Sequence, residues 1–176
     1  MKKRILVDMD DVLADASERI LEILNQKNNL SLSKDFFEDK DFYDYVKSNN
    51  LKSYRDELNA PGFFGNLNVI PDSQEVLAEL SEKHEVFIVS AAMEFPNSLK
   101  EKYDWMQTHF PFISWKNIML CGDKSIVKGD ILIDDHEKNL IHFDGETILF
   151  DAIHNKKINN YNRISNWLDI KKHILG

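Results

Sequence analysis

Asp8 and Asp10 stand one residue apart at the end of the apolar run Ile5-Leu6-Val7, with Met9 between them. Side chains alternate along an extended segment, so carboxylates two residues apart can point the same way. A carboxylate beside an apolar strand is costly unless it is paired or metal-bound. A second apolar run, Ile131-Leu132-Ile133, also ends in acids, Asp134 and Asp135. Between them lies Glu85-Val86-Phe87-Ile88-Val89-Ser90, which ends in a hydroxyl. Lys124 precedes the second acidic pair in Cys121-Gly122-Asp123-Lys124-Ser125. Three apolar segments thus deliver two Asp pairs and a Ser, with a Lys on a nearby loop. Phosphoryl transfer is the chemistry this set suits, but its carboxylates repel a phosphate. Two unit charges about 4 Å apart cost about 4 kcal/mol at an effective dielectric of about 20. Cations must offset that repulsion, and hard oxygen ligands of this kind select Mg²⁺. Lys124 would add a further positive charge on the phosphate oxygens.

These residues need strands that end together. Ile5 to Val7, Val86 to Val89 and Ile131 to Ile133 read as strands buried on both faces. Ile118 to Cys121 reads as a further short strand and Thr147 to Phe150 as the fifth. Helical spacing marks Ala16 to Lys27, a helix started by Pro71-Asp72-Ser73, Leu99 to Phe110, and a terminal helix over Ile164 to Ile174. Strands alternating with helices predict a parallel α/β sheet covered on both faces, with ligands beyond the carboxyl ends of the strands. Ser17 to Val69 contributes no strand of that sheet. Asp35 to Leu58 is rich in acids, lysines and aromatics without strand alternation, which reads as short helices, and Pro61-Gly62 marks a turn. The expected organisation is a core of 1–16 and 70–176 with a small helical cap inserted at 17–69.

Composition narrows the classes further. The chain has 176 residues, 43% of them apolar, which suits one globular domain with a modest insertion. Its net charge of −8 argues against a nucleic-acid backbone as partner. Cys121 is the single cysteine, so no intrachain disulfide forms, which fits a reducing cytosol. The first apolar run is too short for a signal peptide, and no stretch is long enough to span a membrane. A cytoplasmic protein with a small phosphorylated partner is expected. The oligomeric state stays open, a homodimer included.

The order DxD, Ser, Lys, acidic pair resembles that of the haloacid-dehalogenase-like phosphatases. Asp8 to Asp15, Pro61-Gly62-Phe63-Phe64, Lys102-Tyr103-Asp104-Trp105 and Gly122-Asp123-Lys124 with Asp134-Asp135 resemble the 5'(3')-deoxyribonucleotidases of that superfamily, from about Lys3 to about Asn139. The resemblance implies a Rossmann-like core and a Mg²⁺-dependent phosphomonoesterase acting on nucleoside monophosphates. It implies Asp8 as nucleophile, forming an aspartyl-phosphate, and Asp10 as general acid and then general base. Ser90 and Lys124 would bind the phosphoryl group. Asp8, the backbone carbonyl of Asp10, and one of Asp134 and Asp135 would hold Mg²⁺. Two positions depart from the pattern. Asp11 stands where many relatives carry glycine. Ser90-Ala91-Ala92-Met93-Glu94 has an acid where relatives carry a base, and the nearest lysines, Lys100 and Lys102, lie further on in a helix.

Plainer readings compete. Asp8-Met9-Asp10 alone would be a polar strand end, Ser90 alone a strand terminus, and Lys124 alone a solvated side chain. Asp11 and Asp15 read as structural, near a turn and a helix start. His136 reads as structural too, because no second His sits at ligand spacing and Mg²⁺ prefers oxygen. Cys121 reads as packed rather than reactive. Phe63 and Phe64 are either core or a wall against a nucleobase. A phosphatase of a sugar phosphate or another small metabolite keeps the chemistry and changes the substrate. A phospho-accepting receiver module would lack the insertion and place its Lys later. A binding fold without catalysis would not need the full motif set.

Overall fold

A computed structural model describes residues 1–176. In chain order the elements are β1 (Arg4–Val7), α1 (Ala16–Asn28), α2 (Phe42–Ser48), α3 (Arg55–Leu58), α4 (Ser73–Lys83), β2 (Glu85–Ser90), α5 (Ser98–His109), β3 (Ile118–Leu120), β4 (Ile131–Asp134), α6 (Glu137–Leu140), β5 (Glu146–Phe150), β6 (Asn162–Ile164) and α7 (Trp167–Leu175). Short 3₁₀ turns punctuate the connections. The six strands form one sheet in the order β3-β2-β1-β4-β5-β6, with every pairing parallel. The fold is α/β, as expected.

The sheet order explains why chemistry concentrates where it does. The chain runs outward from β1 through β2 to β3, then returns to β4 on the other side of β1. A crevice opens beyond the strand ends at such a switch point. Val7 pairs with Ile88 on one side and Ile133 on the other, so Asp8, Val89 and Asp134 lie one step further along, side by side. The Asp8 N–H donates to the Ile133 carbonyl at 2.9 Å, which extends the ladder into the acidic residues.

Alternation divides the apolar side chains between two faces. Ile5, Val7, Ile131, Ile133, Ile148 and Phe150 join the main core with α1, α4, α5 and α7. Leu6, Val89, Leu132, Leu140 and Leu149 form a smaller cluster, flanked by loop residues such as Val127 and Phe143. Strands buried on both faces are apolar, and β4 is so over Ile131 to Ile133, up to the buried Asp134 that ends it.

One correction concerns the C-terminus. A sixth strand, Asn162–Ile164, takes the residue with which the sequence reading began its terminal helix. The helix starts at Trp167, where Asn166 caps it by accepting from the Asp169 N–H at 2.8 Å. A three-residue edge strand shows no alternation to read.

Residues 17–69 lie between β1 and the return helix. Phe36, Phe37, Phe42 and Tyr45 pack edge-to-face there, with ring centroids 5.0–5.6 Å apart. The Glu101 carboxylate of α5 accepts the Gly62 N–H at 2.5 Å and the Phe64 and Gly65 N–H groups at 3.1 Å. Gly62 sits at φ 89°, a conformation that disfavours any side chain. The Trp105 indole donates to the Leu67 carbonyl at 2.8 Å, a second tie between α5 and this segment. No helix is long and apolar enough to cross a membrane.

From the far side, α7 braces the loop after β1. Trp167 is fully buried and donates to the Val12 carbonyl at 2.8 Å. Trp167→Phe removes that donor and leaves a buried carbonyl unpaired, so it should cost about 1–3 kcal/mol. Urea unfolding should show a lower midpoint at unchanged slope.

Candidate active site

The loop after β1 is tight. The N–H groups of Leu13 and Ala14 both donate to the Met9 carbonyl, at 2.8 and 2.9 Å, and the Asp11 N–H donates to the Ala14 carbonyl at 2.7 Å. Asp11 takes φ 55°, the left-handed region that suits glycine and is tolerated by Asp. Its carboxylate accepts from the Ser17 N–H at 2.6 Å and the Ser17 hydroxyl at 2.7 Å, compensating the strain and tying the loop to α1. Burial, and then the charge of Asp135, pushes the Asp11 carboxyl up to about 6. Asp15 caps α1 by accepting from the Glu18 N–H at 2.9 Å. The structural reading of Asp11 and Asp15 matches this geometry.

Asp8, Ser90, Lys124, Asp134 and Asp135 are all buried, and Asp10 is half-buried. The Lys124 ammonium lies 2.7 Å from Asp8 Oδ1 and 2.7 Å from Asp134 Oδ2. Burial alone would lower the Lys124 pKa, but the two carboxylates outweigh it and hold the group above its ordinary range. Burial drives the Asp8 carboxyl well above its usual range, and the neighbouring carboxylates reinforce this while Lys124 opposes it. Asp8 Oδ1 also accepts the Met9 N–H at 2.7 Å.

Asp134 and Asp135 differ in what they have left to offer. Asp134 Oδ2 takes Lys124, and Oδ1 accepts the His136 N–H and the Asn139 amide, both at 2.9 Å. Asp135 Oδ1 is buried with no hydrogen-bond partner, and so is Asp10 Oδ1. Oxygens of Asp8, Asp134 and Asp135 lie within 4.8 Å of one another. Buried anionic oxygens without donors are what a hard cation satisfies, so the set fits Mg²⁺, with Asp135 the freer of the acidic pair.

Lys102 is placed in a helix by the sequence reading and given no role at the site, where the structure brings it. It is 1% exposed, and its ammonium donates to the Ser90 hydroxyl at 2.9 Å and to Asp10 Oδ2. It also lies 4.4 Å from the Phe64 ring centroid. The positive charge not found directly after Ser90 thus arrives from α5. A signal existed: Ser98, Lys102, Trp105 and Met106 form one buried face at helical spacing, with a lysine in its middle.

His136 calls for a correction. It has a histidine neighbour in space: His154, from the loop after β5, stacks on it with centroids 4.3 Å apart. The spacing in the chain hid this because the two residues lie on different loops. Burial alone would lower the His154 pKa, but its contact with Asp135 and the charge of Asp11 carry it up to about 9. Burial would raise the Asp135 pKa, yet the histidines hold it well below its usual range.

A cavity of about 440 Å³ joins these groups to residues 17–69. That size falls within the range of small-molecule sites. Its far wall includes Phe42, Tyr43, Tyr54, Arg55, Phe63 and Phe64. Phe63 and Phe64 belong to the core and also line the cavity. Cys121 is half-buried against the smaller cluster.

A parallel sheet with carboxylates, a hydroxyl and two buried lysines at its switch point has the fold of the haloacid-dehalogenase-like hydrolases. Similar solved structures include such a hydrolase from Streptococcus pneumoniae (TM-score 0.60, 12% identity, 98% of both chains) and a haloacid-dehalogenase-like protein from Agrobacterium tumefaciens (TM-score 0.63, 16% identity, 99% and 98%). The model of the family described as "5' nucleotidase, deoxy (Pyrimidine), cytosolic type C protein" matches residues 2–176. A 5'(3')-deoxyribonucleotidase of Bacillus subtilis is 43% identical over 175 residues, covering 99% of this chain and all of its own, and one of Bacillus phage SPbeta matches equally. The chain belongs to this deoxyribonucleotidase family.

The buried Lys124 ion pairs should be worth measuring on their own. Lys124→Met strands two buried carboxylates and should cost about 3–5 kcal/mol in urea unfolding without added metal. Adding Asp134→Asn to the same chain should recover part of the loss.

Proposed function

We propose that this chain is a Mg²⁺-dependent phosphomonoesterase that dephosphorylates (deoxy)nucleoside monophosphates through an aspartyl-phosphate on Asp8. The observation that carries the reading is Asp8 at the floor of an aromatic-walled cavity, flanked by Lys124, Ser90, Lys102 and two carboxylate oxygens without partners. Mg²⁺ would be held by Asp8, the Asp10 backbone carbonyl and the Asp134–Asp135 pair, with Asp135 favoured for direct contact. Bound there, it would offset the negative charge of the carboxylates and the phosphate.

The residues divide the remaining work. Both hydrogen-bonding contacts of Asp8 fall on Oδ1, so Oδ2 is the oxygen available to attack phosphorus. As that bond forms, the ester bond breaks and Asp10 delivers a proton to the leaving alkoxide. Asp10 then takes a proton from water, whose oxygen attacks the phosphorus. The Asp8–phosphorus bond breaks, the Asp8 carboxylate is regenerated and phosphate departs. Lys124, Lys102 and the Ser90 hydroxyl hold charge on the transferring phosphoryl oxygens. Lys102 also orients Asp10 through its ammonium. Residues 17–69 act as a cap over the core, with Phe63 and Phe64 on the substrate side, and screen the site from water.

Phosphate release should be followed for a panel of deoxynucleoside monophosphates and for glycerol phosphate, with and without Mg²⁺. Chelation should silence turnover and Mg²⁺ should restore it. Asp8→Asn should abolish turnover while leaving the fold intact, since an amide cannot form the acyl-phosphate. Near-normal release by that variant would rule out the covalent route.

Phe63→Leu keeps an apolar side chain and removes the aromatic face. Stacking is worth about 1–3 kcal/mol per base, so the KM for a nucleotide should rise about tenfold relative to that for glycerol phosphate. An unchanged ratio would favour another small phosphorylated metabolite as substrate.

A further inference from the structure

The phosphatase reading uses Asp135 through one oxygen and leaves the surroundings of the other unexplained. Asp135 Oδ2 lies 3.6 Å from His136 Nε2 and 3.1 Å from His154 Nε2. The first distance is too long for a hydrogen bond. The second is short enough, yet the imidazole N–H is not aligned on the oxygen, and His154 Nε2 is left without a hydrogen-bond partner. The His154 side chain is only 9% exposed. A buried polar nitrogen that makes no hydrogen bond is unfavourable, and here only the charges of nearby Asp135 and Asp11 compensate it. Three potential ligand atoms therefore converge with charge attraction but no hydrogen bond among them.

Their spacing answers to a different partner. A cation bound at about 2.0–2.1 Å by tetrahedrally disposed ligands sets them about 3.3 Å apart. The two measured separations, 3.1 and 3.6 Å, bracket that value. One ligand atom from each of the three residues lies within 4.8 Å of the other two. The rings stack 26° from parallel, so His136, with 37% of its side chain exposed, would have to turn its ring for its nitrogen to meet the same ion as His154. Two imidazoles and one carboxylate suit Zn²⁺ or Co²⁺ better than Mg²⁺. Asp11 Oδ2 stands 3.9 Å from His154 Nδ1, too far to hydrogen-bond it, and contributes charge alone on the far side of the ring. Both histidines line the cavity, which would leave a fourth coordination position facing it.

We propose that Asp135 Oδ2, His136 Nε2 and His154 Nε2 form a binding site for a borderline transition-metal cation of the Zn²⁺ or Co²⁺ type, distinct from the carboxylate centre that suits Mg²⁺. Asp135 serves both sites through different oxygens. The inference concerns ion binding by the free chain and stands whether or not the phosphatase reading does.

The test is a Co²⁺ titration of the untagged chain in excess Mg²⁺ at about pH 8, read by visible absorption and electron paramagnetic resonance. One Co²⁺ per chain should bind with the spectrum of a low-coordinate site containing nitrogen ligands, and Zn²⁺ should displace it. His136→Ala and His154→Gln should each weaken binding by about tenfold or more, and the double variant should abolish it. His136 is half-exposed, so its loss leaves the fold intact, which circular dichroism checks. Asp8→Asn should retain the Co²⁺ spectrum, because Asp8 is no part of the set. Absence of a nitrogen-bound ion, or Co²⁺ binding indifferent to both histidine variants, overturns the proposal. Loss in Asp8→Asn with retention in His136→Ala also overturns it, assigning the ion to the carboxylate centre.

Discussion

The buried ammonium of Lys124 is what allows two carboxylates to share the end of the sheet. Asp8 and Asp134 sit side by side because the register of β1 on β4 leaves them no alternative. Without a cation between them, their mutual repulsion would add to the cost of burying each. Lys124, 4% exposed, touches both and neutralises part of that charge. It does not neutralise all of it. Asp10 draws Lys102 from α5, Asp135 draws two histidines, and oxygens of Asp10 and Asp135 still lack partners. The residual negative charge at the strand ends is a property of the fold.

Around this centre, much of the structure serves to hold short loops still. The loop after β1 is closed by its own carbonyls, anchored to α1 through Asp11 and Ser17, and braced by Trp167. The turn carrying Phe63 and Phe64 is clamped by Glu101, three residues into the same helix that supplies Lys102 one position later. The helix α5 therefore sets two distances together: the lysine to Ser90 and Asp10, and the aromatic turn to the cavity. Lys102 against the Phe64 ring links the two directly. Phe63 makes no such contact with Lys102, so it can be altered with less effect on the lysine than Phe64.

Much of the site could be read without coordinates, because the acids, Ser90 and Lys124 each lie at or near the end of an apolar run, and apolar runs are the plainest local signal of a buried strand. The α/β class and the places of five strands along the chain followed from the same pattern, since a strand buried on both faces is apolar over most of its length. The short edge strand Asn162–Ile164 carried no such pattern and was legible only once β5 was there to pair with it. The sequence alone thus determined which polar residues stand at the strand ends and which strands deliver them. Tertiary structure decided how they are partnered: Lys102 reaches Ser90 across 12 positions, and His154 meets His136 from another loop. It also decided which of Asp134 and Asp135 keeps a free oxygen, since neighbours in the chain can differ only through what packs against them. Such contacts depend on where separate elements come to rest against one another, which no periodicity along the chain encodes.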